Sequence, residues 1–489
     1  MFPAPLPGMK GVTKMFSDVR HGDVFGYFSE ISAIPRPSGK EEKIADYLVR
    51  FANERGLEVY RDKANNVIIR KHGAADAPSV MLQGHTDMVC EALPGIEHDF
   101  LRDPIKFVRN GDVLSADGTT LGADDGVSGA VMLAILDSDT LRHPDLECLF
   151  TSGEEVGMIG MNALDMGCIR SRRMINIDSS GEGVATVACA GGVRSDFSFT
   201  TSAEPTRGTE RAYDLVISGL YGGHSGEDIA LGRTNAIVAC TGILRAVAEK
   251  AELRIVSVRG GDKDNAIPRD CTVRFIVSDE LPQDTFDSAV GLIRHALIKD
   301  DANFDAALIE AELPKTAASV EDTRRILDFL AQIPSGPLAM SPDVPGMVET
   351  SENLAVIRWG DGHASVTVSS RSSVEEALDA VLSRLTSLAR LAGCKVNHRD
   401  RYPGWDFDPS SQVLEVYKSA YTDLFGKVPE AIGIHAGLEC GLVKSVIPDM
   451  DVISIGPEIT DLHSPSERLS VQSLDRLYDI VTAMLERLA

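Results

Sequence analysis

Two histidines and four carboxylates in this chain stand just beyond short apolar runs, where a folded strand would end. His85 and Asp87 follow SVMLQG, Glu154 and Glu155 follow CLFTSG, Asp178 follows MINI, and His463 lies beyond VISIGPEITDL. Asp124 and its neighbour Asp125 sit in TTLGADDGVSG, a glycine-rich loop ahead of a helix, where a sharp turn can aim a carboxylate inward. Imidazoles mixed with carboxylates suit zinc, which accepts nitrogen and oxygen ligands at low coordination number. A shared carboxylate can bridge a pair of such ions, and without cations so many acids at one edge would repel each other.

Taken singly, each element has an ordinary explanation. An HxD at a strand end is usually a hydrogen-bonded loop pair, GEE a solvated surface, DDG a turn, and LHSPSE a plain loop. Their joint occurrence, each at a strand end or tight loop, reverses that judgement.

The elements that must position these groups are legible. DVFGYFSEISAI and GKEEKIADYLVRFANERG have helical apolar spacing, the second with Ile44, Leu48 and Phe51 on one stripe and Gly56 past its end. LEVYRDKANNVIIRKHG reads as a hairpin turning at Asn65-Asn66, and GAVMLAILD as a helix from Gly129. Strands then alternate with helices to the final amphipathic helix SLDRLYDIVTAMLERLA, the pattern of an α/β sheet with much parallel pairing. In such sheets ligands bind at the carboxyl ends of the strands, so the segments above deliver their side chains to one edge.

The middle of the chain differs. Residues 191–399 read as strand–helix–strand–strand–helix followed by a weaker second copy, with CTVRFIVSD and SVTVSSRSS the best-matched pieces. The expected fold is therefore α/β: a catalytic domain from residues 1–190 and 400–489, its mixed, largely parallel sheet flanked by helices, with an inserted α+β lid domain of two related sub-modules at 191–399.

Composition sets the outer bounds. With 48 Lys+Arg against 73 Asp+Glu, the formal net charge is -25, which argues against nucleic acid or an anionic membrane as partner. Eight scattered cysteines without a CxxC pair read as reduced thiols of a cytoplasmic protein. No run of 18 apolar residues predicts a membrane span, and MFPAPLPGMKGVTKMF, lacking the build of a secretion signal, reads as a flexible leader.

The wording of the motifs adds a resemblance that covers about residue 20 to the end. QGHTDMV, TLGADDGVSGA, FTSGEEVGMIG, NIDSSGEG, GGHSG, GIHAGLECG and DLHSPSERL resemble the aminoacyl-histidine (cytosol non-specific) dipeptidases, relatives of carnosinases and carboxypeptidase-G-type enzymes. The resemblance implies two zinc ions bridged by Asp124, one completed by His85 and Asp178 and the other by Glu155 and His463; cobalt or manganese could serve in the same ligands. It implies that Asp87 orients His85 and that Glu154 takes the proton of the attacking water and passes it to the leaving amine. Relatives with Asp at the position of Asp178 tend to be dipeptidases or aminopeptidases, whereas carboxypeptidase and deacylase relatives tend to carry Glu.

From the lid, His224 in GGHSG would stabilise the oxyanion and Arg371 in SVTVSSRSS would bind the substrate's terminal carboxylate, with Asn265 assisting. His435 and Glu439 in GIHAGLECG are expected in the pocket, an acid such as Glu439 reading the free amino end. The expected activity is hydrolysis of unblocked dipeptides, Xaa–His among them. The competing readings are a two-metal amidohydrolase acting on N-acyl amino acids or longer peptides, and a non-catalytic binding protein. Small-lidded relatives pair their lids across a dimer, so a homodimer through the lid is one expected assembly, and whether His224 serves its own subunit is left open.

Overall fold

The structure, a computed structural model, describes residues 15–73 and 77–489; the proline- and glycine-rich leader falls, but for its last two residues, outside the described residues. The chain divides into two compact units. One runs up to Val187 and adds Phe407–Gly433 and Leu438–Ala489; the other comprises Ala188–Asp406 and Ile434–Gly437.

The first unit is built on an eight-stranded mixed sheet. Its order is Glu58–Arg61, Val67–Lys71, Leu146–Thr151, Val80–His85, Arg173–Asn176, Asp451–Ser454, Val184–Cys189 and Glu430–Ile434. The hairpin turns at Asn65-Asn66, with Arg61 paired to Val67. Val80–His85 runs parallel to both Leu146–Thr151 and Arg173–Asn176, and the latter runs parallel to Asp451–Ser454. Every residue of VMLQGH and LECLFT is buried, as a strand covered on both faces requires. The parallel register brings His85 opposite Thr151, so the segments following these strands leave at one edge. Helix Gly22–Ser32 buries Val24, Phe25, Phe28 and Ile31, and helix Glu42–Glu54 buries Ile44, Leu48 and Phe51.

One helix starts earlier than its sequence implies. It spans Ala123–Asp137, with Asp124 and Asp125 inside its first turn in non-helical conformations. Asp125 and every residue from Gly126 to Leu136 are buried. A helix covered all round has no amphipathic stripe, so periodicity could not mark its beginning.

The second unit carries a nine-stranded sheet whose pairings are all antiparallel. The strand order is Asp305–Ala311, Arg211–Ser218, Cys271–Val277, Leu253–Gly260, Val348–Gly360, His363–Ser372, Gly191–Thr200 and Lys395–Tyr402, with Gly336–Met340 also paired to Val348–Gly360. The matched pieces of the two copies, Cys271–Val277 and His363–Ser372, are both strands followed by helices, Gln283–Ala296 and Glu375–Leu391. The copies are fused: Val258 pairs with Trp359, and Ile243, Phe275, Leu327, Leu354 and Leu385 share one core.

Candidate metal centre

The first unit gathers seven of the predicted residues at the carboxyl edge of its sheet. His85 ends its strand with its side chain fully buried. Its backbone N–H donates to Asp125 Oδ2 at 3.0 Å. Gly84 makes this approach feasible, since a Cβ there would lie 2.3 Å from Asp125 Oδ2 and 2.0 Å from Ser128 Oγ. Asp124 then presents one oxygen to each imidazole. Its Oδ1 is 3.0 Å from His85 Nε2 and its Oδ2 is 3.1 Å from His463 Nε2. Asp178 Oδ1 lies 3.6 Å from His85 Nε2, and Glu155 Oε1 lies 3.1 Å from His463 Nε2.

These spacings fit two cations. Zinc bonds of about 2.0–2.2 Å at tetrahedral angles separate ligand atoms by roughly 3.3–3.6 Å, and the contacts here, from 3.0 to 3.6 Å, lie at that separation or a few tenths of an ångström below it. Glu155 Oε1 is buried, and its near neighbour is His463 Nε2, 3.1 Å away. Imidazole nitrogens and carboxylate oxygens gathered this closely in a buried space are the donor set that a cation takes. His85, Asp124 and Glu155 group as one potential ligand set, and His85, Asp125 and Asp178 as another. His463 has a left-handed backbone, φ 58°, unusual for a bulky residue and of the kind found where function fixes a side chain.

The electrostatics follow from crowding acids into a buried space. Burial, reinforced by Asp125, Asp124 and Glu154, holds Asp178 well above the usual carboxylate range. Hydrogen bonds to Asp124 and Glu155 push His463 up to about 10. For His85, burial opposes the charged form, but Asp178, Asp124 and Asp87 outweigh it and raise its pKa. Imidazoles drawn toward protonation in this way report a negative field, and the same field favours metal cations.

Asp87 organises the centre from behind. Its Oδ1 is 3.4 Å from His85 Nδ1, and its carboxylate accepts the Glu154 and Glu155 backbone N–H groups at 3.1 and 3.3 Å. Ser38 Oγ donates to it at 2.7 Å. Burial works against its charge, but His85, Ser38 and the Glu154 N–H lower its pKa to about 2. Glu154 sits beside the ligands; burial, with the charges of Glu439, Glu155 and Asp124, raises its pKa to about 8 despite His85.

Four positioning groups escaped the sequence reading. Glu467 accepts the backbone N–H groups of Leu121, Gly122, Ala123 and Asp124 at 2.8–3.2 Å, anchoring the turn that aims Asp124. Arg36, fully buried, donates to the carbonyls of Thr86, Asp87 and Gly122. Glu41 accepts from the Gly39 and Gly153 N–H groups, and Asp125 supports His85 as described. Glu467 and Asp125 stood inside the quoted motifs, whereas Arg36 lies outside all of them.

The remaining predicted residues fall in two places. Glu439 belongs to the first unit and is fully buried, its Oε2 accepting from Gln83 Nε2 and Thr151 Oγ1, both at 2.6 Å, while Oε1 has no hydrogen-bond partner. Burial raises its pKa to about 7. His224, Asn265, Arg371 and His435 belong to the second unit. The Gly223–His224 strand pairs with Ala266–Ile267, and Ser225 N–H donates to the Asn265 carbonyl at 2.8 Å. His435 Nε2 is 2.7 Å from Ser351 Oγ, and burial together with Arg371 lowers its pKa to about 3. Burial and Arg371 also lower that of His224. Among the described residues, no disulfide joins any of the eight cysteines and no helix is long and apolar enough to cross a membrane.

Comparisons with known proteins agree with this geometry. Residues 81–487 match the model of peptidase family M20/M25/M40. The chain is 36% identical over 468 residues to the cytosol non-specific dipeptidase of Escherichia coli (strain K12), covering 94% of this chain and 96% of that one. Its fold matches the aminoacylhistidine dipeptidase from Vibrio alginolyticus with a TM-score of 0.91 and 34% identity, covering 96% of this chain and 98% of that one. An aminopeptidase from Bacillus cereus shares the fold alone, with a TM-score of 0.57 and 17% identity over 96% of this chain and 99% of that one. With its motifs, fold and matched span in agreement, this chain belongs to peptidase family M20/M25/M40.

Proposed function

We propose that this protein is a cytoplasmic, two-zinc dipeptidase that hydrolyses unblocked dipeptides, Xaa–His among them. The observation that carries the reading is the Asp124 carboxylate, with one oxygen 3.0 Å from His85 Nε2 and the other 3.1 Å from His463 Nε2. In this reading Asp124, His85 and Asp178 would hold one ion, and Asp124, Glu155 and His463 would hold the other. Held there, the ions would supply Lewis acidity for the scissile carbonyl and the attacking water.

The chain's own residues do the rest. Glu154 takes the water's proton on its carboxylate and returns it to the leaving amine; a carboxyl whose pKa burial lifts toward neutrality suits both steps. Asp87 fixes the ring of His85 and, through two backbone N–H groups, the segment carrying Glu154 and Glu155. His224 donates to the developing oxyanion and is kept neutral for that task by burial and Arg371. Arg371 takes the substrate's carboxylate, assisted by Asn265 and His435, and the unpartnered Glu439 Oε1 marks this acid for the substrate's ammonium. Reading both free termini is what would confine the enzyme to dipeptides. The name of the Escherichia coli relative supports dipeptides as substrates and the cytosol as location. A homodimer through residues 191–399 completes the reading, and sedimentation of the purified protein tests it.

A panel of dipeptides, tripeptides and N-acetyl amino acids tests the substrate class. Dipeptides should be turned over far faster than the rest. Tripeptide or N-acetyl amino acid turnover equal to that of dipeptides would refute it.

A further inference from the structure

Arg371 is almost fully buried, yet among the described residues no carboxylate lies within 4.0 Å of its guanidinium, and its Nε has no hydrogen-bond partner. Its Nη1 donates a hydrogen bond to the Tyr402 hydroxyl oxygen at 2.8 Å. The two residues are not on neighbouring strands. Arg371 on His363–Ser372 and Tyr402 on Lys395–Tyr402 both pair with Gly192, on the Gly191–Thr200 strand between them. Directly paired residues point to one face of a sheet, and strands two apart are separated by about 10 Å. Any side chain at the middle position would stand between Arg371 and Tyr402.

Gly192 leaves that position empty, and the phenol fills it. A Cβ on Gly192 would lie 2.5 Å from the Tyr402 oxygen and 2.7–2.8 Å from two ring carbons. The ring is further backed by Arg194, whose guanidinium carbon is 5.9 Å from the ring centroid.

We propose that Tyr402, reaching across the gap at Gly192, is a positioning residue that aims the Arg371 guanidinium at the substrate's carboxylate. The choice of a phenol has a physical logic. An Asp or Glu in its place would also fix the arginine, but it would neutralise the charge that has to attract the carboxylate. A neutral oxygen accepts one N–H and leaves the positive charge and the remaining donors available. This inference rests on the reading of Arg371 as the carboxylate-binding residue.

Tyr402→Phe removes the acceptor and keeps the ring. The KM for an unblocked dipeptide should rise about tenfold, the scale of one hydrogen bond to a charged group, with kcat changed by less than about twofold. The C-terminal amide of the same dipeptide, which lacks the carboxylate, should be unaffected. Gly192→Ala, which retains the phenol but displaces it, should give the same KM rise. If Tyr402→Phe leaves KM unchanged while Arg371→Lys raises it, the role of Tyr402 is overturned and the carboxylate reading survives. If neither variant changes KM for the acid, the carboxylate reading itself fails, and this inference with it. A loss in Tyr402→Phe shared equally by acid and amide, or confined to kcat, overturns it in favour of general structural support.

Discussion

The candidate site residues of the two units bury opposite charges. In the first, Asp124, Asp178, Glu154 and Glu155 crowd around two imidazoles that are drawn toward protonation. In the second, Arg371 is buried with no carboxylate partner among the described residues, and burial and Arg371 lower the pKa values of His224 and His435. Neither arrangement is a good way to stabilise a fold, because buried charge is costly unless matched. Each is matched instead by what it would bind, cations in one unit and an anion in the other. The uncompensated charge in each unit is thus the signature of a ligand.

Substitutions that touch only one side of this contrast separate the roles. The largest effect should come from Glu154→Gln, which keeps the shape of the site and removes its proton carrier. Its kcat should fall by about 10²–10⁴, the usual share of general acid–base catalysis, with metal content unchanged by elemental analysis. Retained activity at full metal content would remove Glu154 from the mechanism.

Next in size is Glu467→Gln, which weakens the anchor of the Asp124 turn without touching a proposed ligand. Metal affinity should fall by about 10–100-fold, as for other supporting groups, measured by competition with a chromophoric chelator. Arg371→Lys should raise the KM for dipeptides by about tenfold or more, since an ammonium cannot make the planar two-point contact. Its metal content should be normal, which would confine the defect to the anion side.

The smallest effect is on acid stability. Burial lowers the His435 pKa to about 3, from 6.5 for the free side chain. Between these values the unfolded chain binds a proton that the folded chain refuses, so this group's contribution to stability is present above pH 6.5 and lost as pH falls toward 3. His435→Gln, which can still bond Ser351, should flatten that fall in urea midpoints measured between pH 7 and pH 5. An unchanged slope would mean that His435 is not the buried neutral group described.

How much of this was readable beforehand depended on chain locality. His85, Glu155 and Asp178 could be found because parallel strands deliver their ends to one edge, and a run such as SVMLQGHTD carries strand and ligand together. The second unit's alternation of strands and helices was equally plain, but its fusion into one sheet depends on pairs such as Val258 and Trp359, about a hundred residues apart. The helix beginning at Ala123 hid its start because it is buried on every side. Arg36 was missed for a related reason: its work is to hold carbonyls at Thr86, Asp87 and Gly122, and backbone acceptors leave no mark in a sequence. The contact between Arg371 and Tyr402 depends on the missing side chain at Gly192 and emerges only once register is known.

The account rests on paired cations held by the Asp124 cluster, and metal stoichiometry followed through chelation and restoration tests it most directly. Purified protein should carry two zinc ions per chain by elemental analysis. Dipeptide turnover should vanish as they are removed and return when zinc, or cobalt or manganese in its place, is restored to the same ratio. Full dipeptide turnover by metal-free protein would contradict the account.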